Sequence, residues 1–144
     1  MTATDRVLGL GPDLVPELLV GDLTESLHFW CRLCEFDVLY DRPEEGFAYL
    51  ASGTAHVMLE QAGVGRNWIP AQLQRPYGRG VNFQISVASI EPLLTALRGA
   101  NWKLFMEPET KWYRTGDREV GVVQFLVQDP DGYLIRFQES PGSR

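Results

Sequence analysis

Apolar and polar positions along the chain change their period in a repeating order. Residues 15–22, VPELLVGD, make a short apolar run that ends at Gly21 and Asp22. Asp22 predicts a helix start, and Glu25 completes a capping-box spacing at the head of LTESLHFWCRLC. Leu23, Leu27, Trp30 and Cys34 then recur three and four apart, which marks one helix face. Three strand-like runs follow, FDVLY (36–40), FAYLAS (47–52) and HVMLEQ (56–61), divided by Pro43-Glu44-Glu45-Gly46 and by Gly53-Thr54.

The second half repeats the order. VNFQISV (81–87) alternates between apolar and polar, Ser89 is placed to cap IEPLLTALRGA, Pro92 falls in the first turn and Gly99 near its end. WKLFM (102–106), GVVQFLVQ (121–128) and YLIRFQ (133–138) are the strands that follow, the last two joined by Asp129-Pro130-Asp131-Gly132. Each half therefore reads β-α-β-β-β. Val20-Gly21-Asp22-Leu23 falls on Val87-Ala88-Ser89-Ile90 at an offset of 67, and Val57 and Leu59 fall on Ile135 and Phe137 at 78. The extra 11 residues lie in EPETKWYRTGDREVG, which is expected to be a long surface connection. The organisation is an N-terminal arm (1–14), a first module (15–61), a linker (62–80), a second module (81–140) and a short tail (141–144).

Composition adds limits. A chain of 144 residues that is 44% hydrophobic can bury a core without disulfides or structural metal. No apolar run reaches the ~18 residues of a membrane span, and the start lacks the layout of a secretory signal, so a cytoplasmic location is expected. The net charge of -6 argues against tracking a nucleic-acid backbone. The acidity is uneven: residues 1–61 hold 3 Arg and 11 acids, residues 62–144 hold 10 Lys or Arg and 8 acids. Cys31 and Cys34 form a CxxC inside an amphipathic helix, where packed thiols are expected and not a redox pair.

The motifs VPELLVGDLTESLHFWCRLCEF, RGVNFQISV and QFLVQDPDGYLIRF, spread over residues 14–140, resemble the vicinal oxygen chelate superfamily and, within it, the glyoxalase and bleomycin-resistance group. The strand, DPDG turn and strand at the end is the most specific of the three. The resemblance implies an α+β fold in which two βαβββ modules form curved mixed sheets around a cavity, and it implies a dimer.

Metal-dependent members of that superfamily carry a His or Gln near the start of each module's first strand and a Glu on each last strand. The corresponding positions here are Val15, Asn82, Met58 and Arg136. Val offers no donor, Met is soft, Asn is weak and Arg brings a fixed positive charge to the ion's seat. A displaced set around Glu17, His56 and Glu60 is the alternative, and would make the chain a metal-dependent glyoxalase- or dioxygenase-like enzyme.

Strand parity places Glu17, His56, Met58, Glu60, Asn82, Gln84, Ser86, Gln124, Leu126, Leu134, Arg136 and Gln138 on the open faces, with Leu18, Val20, Phe83, Ile85 and Val87 turned to the helices. So polar a face suits a hydrated groove for a hydrogen-bonding ligand. Phe47, Tyr49, Trp68, Tyr77, Trp112 and Tyr113 supply aromatic surface near its rim. Stacking and cation–π contacts contribute roughly 0.5–2 kcal/mol each, enough for a clamp. In the bleomycin-binding relatives such rings stack on the antibiotic, and a proline matching Pro16 lets the N-terminal arm cross to a partner chain.

The expected function is thus metal-free binding of a small molecule, a bleomycin-like antibiotic or related ligand, held by sequestration in the cleft of a homodimer with arm exchange near Pro16. The expected ligand-binding residues are Phe47, Tyr49, His56, Met58, Glu60, Trp68, Asn82, Gln84, Trp112, Tyr113, Gln124 and Arg136, with no catalytic residue, metal or cofactor and no nucleic-acid or membrane partner. Lys111, Arg114, Arg118, Arg66, Arg75 and Arg79 bring positive charge toward the expected mouth, so the ligand's sign stays open. A regulatory or scaffold module with a blocked groove is a third reading.

Overall fold

Asp22 opens the first helix as its spacing predicts, its carboxylate accepting from the Glu25 amide at 3.1 Å. The computed structural model describes residues 2–7, 9 and 11–143, and the chain divides into two units, Met1–Gln74 and Arg75–Arg144. The first contains α1 (Ala3–Val7), β1 (Glu17–Val20), α2 (Leu23–Leu27) with a π-helical continuation (His28–Leu33), β2 (Asp37–Arg42), a 3-10 turn (Pro43–Glu45), β3 (Phe47–Ser52) and β4 (Ala55–Gln61). The second contains β5 (Asn82–Ser86), α3 (Glu91–Gly99), β6 (Leu104–Thr115), β7 (Arg118–Gln128) and β8 (Leu134–Ser143).

The sheets share one topology, β1-β4-β3-β2 in the first unit and β5-β8-β7-β6 in the second. In each, the first strand pairs in parallel with the last and the others are antiparallel. The two βαβββ modules read from the sequence are therefore present as two four-stranded mixed sheets with helices, an α+β fold.

The helix of the first unit departs from the expected single α-helix. Its second half closes through wider turns, with the Cys34 amide donating to the Phe29 carbonyl at 3.0 Å, and Glu35 ends it at φ 62. In a turn closed from i to i+5, residues four and five apart share a side. Phe29, Trp30, Leu33 and Cys34 are accordingly buried, while Leu23 and Leu27 are only half-buried. These side chains share the first core with Leu18, Val20, Leu50, Val57 and Leu59. Each large one contributes roughly 1.5–3 kcal/mol by leaving water.

The segment expected to be a long connection is strand instead. Residues 107–115 continue β6, and residues 118–121 begin β7, the two joined at Gly116 (φ 66) and Asp117. Thr110, Trp112, Tyr113 and Thr115 favour a pleated strand, and the glycine supplies the turn. The irregular register between Met106 and Glu109 falls around Pro108, which has no amide to give the ladder.

The expected linker divides between the units. Its last residues fasten to the DPDG turn, where Asp129 Oδ1 accepts from the amides of Asp131 and Tyr133 at 3.0 and 2.9 Å. Arg75 meets buried Asp131 at 2.7 Å, and the Tyr77 amide donates to the Asp131 carbonyl. Ser89 is not the cap of α3 as expected: Ile90 holds that position without a side-chain bond, and Ser89, one residue earlier, accepts from the Glu91 amide at 3.3 Å.

Candidate functional site: two clefts on the open sheet faces

In the first unit β1 and β4 run in register, with Glu17 opposite Met58 and Leu19 opposite Glu60. Phe47 pairs with Glu60 and Tyr49 with Met58 across β3 and β4, so these residues share the face turned away from Leu18 and Val20. A cleft of about 280 Å³ opens there, lined by Glu17, Arg42, Glu45, Phe47, Glu60, Gly65, Arg66 and Trp68.

Its floor is a carboxyl pair. Burial, then a hydrogen bond to Glu60 and that group's charge, push the Glu17 carboxyl up from 4.5 to about 7, against the pull of Arg42. Glu17 therefore keeps its proton into the neutral range, because ionising it there would set a like charge beside Glu60. The segment after β4 closes on them, since a side chain added at Gly65 would come within 2.9 Å of Glu60 Oε1. Arg42 is held by Glu45 at 2.6 Å and lies over the Phe47 ring at 3.9 Å. Arg66 sits over Trp68, whose ring is 74% exposed. The lining thus sets three carboxyls and two guanidiniums among two aromatic rings.

Other expected site residues of this unit are placed differently. Tyr49 is fully buried, stacked on Tyr40 at 5.0 Å, with its hydroxyl 2.7 Å from His56 Nδ1. It orients His56 and presents no surface to a ligand. Met58 is half-buried opposite Tyr49 on the same face.

The displaced metal set consequently does not assemble. Glu17 and Glu60 meet, but His56 stands four residues from Glu60 along β4, about 13 Å at a strand's rise, and its Nδ1 faces the Tyr49 phenol. No group of three or more His, Cys, Asp or Glu side chains among the described residues could hold a metal ion. The positions implied by the resemblance offer Val15, Met58, Asn82 and Arg136. The residues present do not fit a catalytic metal centre.

In the second unit β5 and β8 pair Gln84 with Arg136 and Ser86 with Gln138, while β7 sets Leu126 beside Arg136 and Gln124 beside Gln138. The hairpin extends this face, as Tyr113 pairs with Val120 and Lys111 with Val122. A cleft of about 290 Å³ is lined by Gln84, Tyr113, Thr115, Val120, Val122, Arg136 and Gln138. Gln124 is buried and donates to Glu109 at 3.1 Å and to the Tyr113 hydroxyl at 2.8 Å. Asn82 is exposed at the start of the face and does not line the cleft.

Trp112, expected beside Tyr113 at the rim, belongs to the opposite face, because neighbours on a strand alternate. Its ring packs over Gly121, where an added side chain would meet it at 2.9 Å. Tyr77 stands edge-on to Tyr133. Of the arginines expected around the mouth, Arg75 is paired with Asp131, Arg79 donates to the carbonyls of Arg75 and Pro76, and Arg114 shares Trp112's face. Cys31 and Cys34 form no disulfide, and burial raises the Cys31 pKa, so Cys31 is not a poised nucleophile.

Sequence reasoning missed Arg42 and Glu45 in the first cleft because it ended β2 at Tyr40, two residues short of the alternation that brings Arg42 opposite Phe47. It missed Thr115 and Val120 because residues 107–120 read as a connection and not as a hairpin, and Val122, inside the strand it did read, because the open face was counted only from Gln124 onward.

Comparison with known proteins agrees with this architecture. The family model for the glyoxalase/bleomycin resistance protein/dioxygenase superfamily matches residues 13–137. A member of that superfamily from Vibrio splendidus 12B01 is 36% identical, covering 86% of this chain and 94% of its own, with a TM-score of 0.39. TioX from Micromonospora sp. ML1 is 20% identical over 90% of this chain and 98% of its own, with a TM-score of 0.69. A virulence protein from Salmonella typhimurium is 17% identical over 87% and 93%, with a TM-score of 0.62. No curated protein sequence matches. With its two βαβββ modules and a family match spanning most of its length, the chain belongs to the glyoxalase/bleomycin resistance protein/dioxygenase superfamily.

Proposed function

We propose that the chain binds a small organic molecule without transforming it, in the manner of the bleomycin-resistance proteins, and that the cleft of the first unit takes a cationic, partly aromatic portion of that ligand. The observation that carries this reading is the Glu17–Glu60 carboxyl pair beneath Phe47 and Trp68. A ligand ammonium or guanidinium entering the cleft replaces the Glu17 proton and is held by both carboxylates, while a flat ring stacks on Trp68. Arg42 is already engaged by Glu45, which reduces its repulsion of an incoming cation. Sequestration needs no more than this: bound drug cannot reach its target, and no bond is broken.

A bleomycin-like glycopeptide joins flat heteroaromatic rings to a cationic tail and is the first ligand to test. The protein acts as a homodimer in this reading, with the N-terminal arm exchanged near Pro16. Quenching of tryptophan fluorescence on titration with bleomycin, followed by mass spectrometry of the recovered drug, tests both parts. Saturable quenching, drug recovered unaltered, and at least ten-fold weaker binding by Glu60→Gln or Trp68→Ala support the proposal. Chemically altered drug, or full affinity in both variants, contradicts it.

A further inference from the structure

We propose that the open face of the second unit holds an anion subsite centred on Arg136, and that its ligand is the carboxylate of a small organic acid. It shares no lining residue with the cation cleft: every residue lining it lies on β5, β6, β7 or β8.

Register places Arg136 on β8, an inner strand of the sheet, between Gln84 on β5 and Leu126 on β7. Its Nε is buried, with no hydrogen-bond partner among the described residues. A buried donor without an acceptor costs about 1–3 kcal/mol, so the guanidinium is not already satisfied from within the sheet. No acid lines the cleft. Tyr113 accepts from Gln124 Nε2 through its hydroxyl oxygen, which leaves its own proton for another acceptor. Gln138 is steadied by donating to Ser86 Oγ at 3.1 Å. Glu109, the carboxylate nearest on this face, is engaged by the Gln124 amide. Lys111 and Arg118 lie on the same face of the hairpin and add positive potential.

The ligand class follows from shape. A guanidinium presents parallel N–H groups that match the two oxygens of one carboxylate. A single such fork balances one negative charge, whereas a phosphate dianion leaves charge uncompensated. Val120 and Val122 supply an apolar wall for the carbon skeleton, and about 290 Å³ suits a compact acid. At the strand position where a metal-dependent relative would place an ion's ligand, this chain carries its own permanent cation.

Titration with benzoate, read at the Arg136 Nε–H resonance in two-dimensional NMR, tests the subsite. Saturable downfield displacement is expected, with benzamide giving none. Arg136→Gln should weaken benzoate binding by about ten-fold or more, and Tyr113→Phe, a change on an edge strand that also takes an acceptor from buried Gln124, by several-fold with the folded amide spectrum retained. If Arg136→Gln does not fold, the wild-type resonance and Tyr113→Phe decide. No saturable displacement, equal binding of benzamide, or benzoate affinity untouched by the substitutions overturns the subsite. Tighter binding of phenyl phosphate than of benzoate overturns the carboxylate assignment.

Discussion

Glu17 sits in surroundings that alter its chemistry. Its carboxyl is raised from 4.5 to about 7, so the folded state holds a proton that the unfolded chain releases. The stabilisation from that proton is fully present below about 4.5 and is lost as pH rises through about 7. Glu17 keeps one side open to solvent, so screening makes the effect modest. Glu17→Gln should therefore flatten the fall in melting temperature between acidic and mildly alkaline buffer, and be the more stable protein at the alkaline end. Melting curves of the two proteins across pH check this; parallel curves count against a proton held on Glu17. Tyr49 makes a second prediction at this scale. Tyr49→Phe removes the hydroxyl from a fully buried contact with His56 and should cost about 1–3 kcal/mol in urea unfolding, with the cleft residues undisturbed.

At the scale of elements, the DPDG turn joins β7 to β8 and anchors residues 75–78. Gly132 has φ 98, and a side chain there would lie 2.5 Å from Pro76 Cβ and 2.6 Å from its Cα. Gly132→Ala thus meets both backbone strain and a backbone clash and should destabilise by roughly 2 kcal/mol or more, read as a lower urea midpoint. Gly116, also at positive φ but with open space around it, should tolerate alanine better. These contrasts show how much was legible in advance. DPDG announced its turn because Asp, Pro and Gly each fix a local conformation. Alternation placed Gln84, Arg136 and Gln138 on one face because that face follows from period alone. The helix from Leu23 was legible as an element, but its wider turns depend on how Phe29 and Leu33 pack, which no local period encodes. Trp112 and Tyr113 were grouped by aromaticity, whereas the strand separates them onto opposite faces.

Over the whole molecule, two units of one topology carry unlike open faces. The first gathers Glu17, Glu45 and Glu60 around aromatic rings, the second Arg136 with amides and a phenol. That difference parallels the charge along the chain, with 11 acids against 3 Arg in residues 1–61 and 10 Lys or Arg against 8 acids in residues 62–144. A repeated scaffold thus presents two chemistries, and net charge alone does not set the sign of what it binds. Among the described residues no helix is long and apolar enough to cross a membrane. The proposed dimer predicts a sedimentation coefficient for two chains, with shortening of the arm before Pro16 shifting it toward one; a single-chain coefficient for the full protein contradicts the arm exchange.

The central claim is that a cation replaces the proton of the Glu17–Glu60 pair. Calorimetric titration with bleomycin near pH 7, in two buffers of different ionisation heat, measures that exchange directly. The account predicts saturable binding with net proton release, up to one per site, abolished in Glu17→Gln. Binding with no proton release, or no binding heat in either buffer, would contradict it.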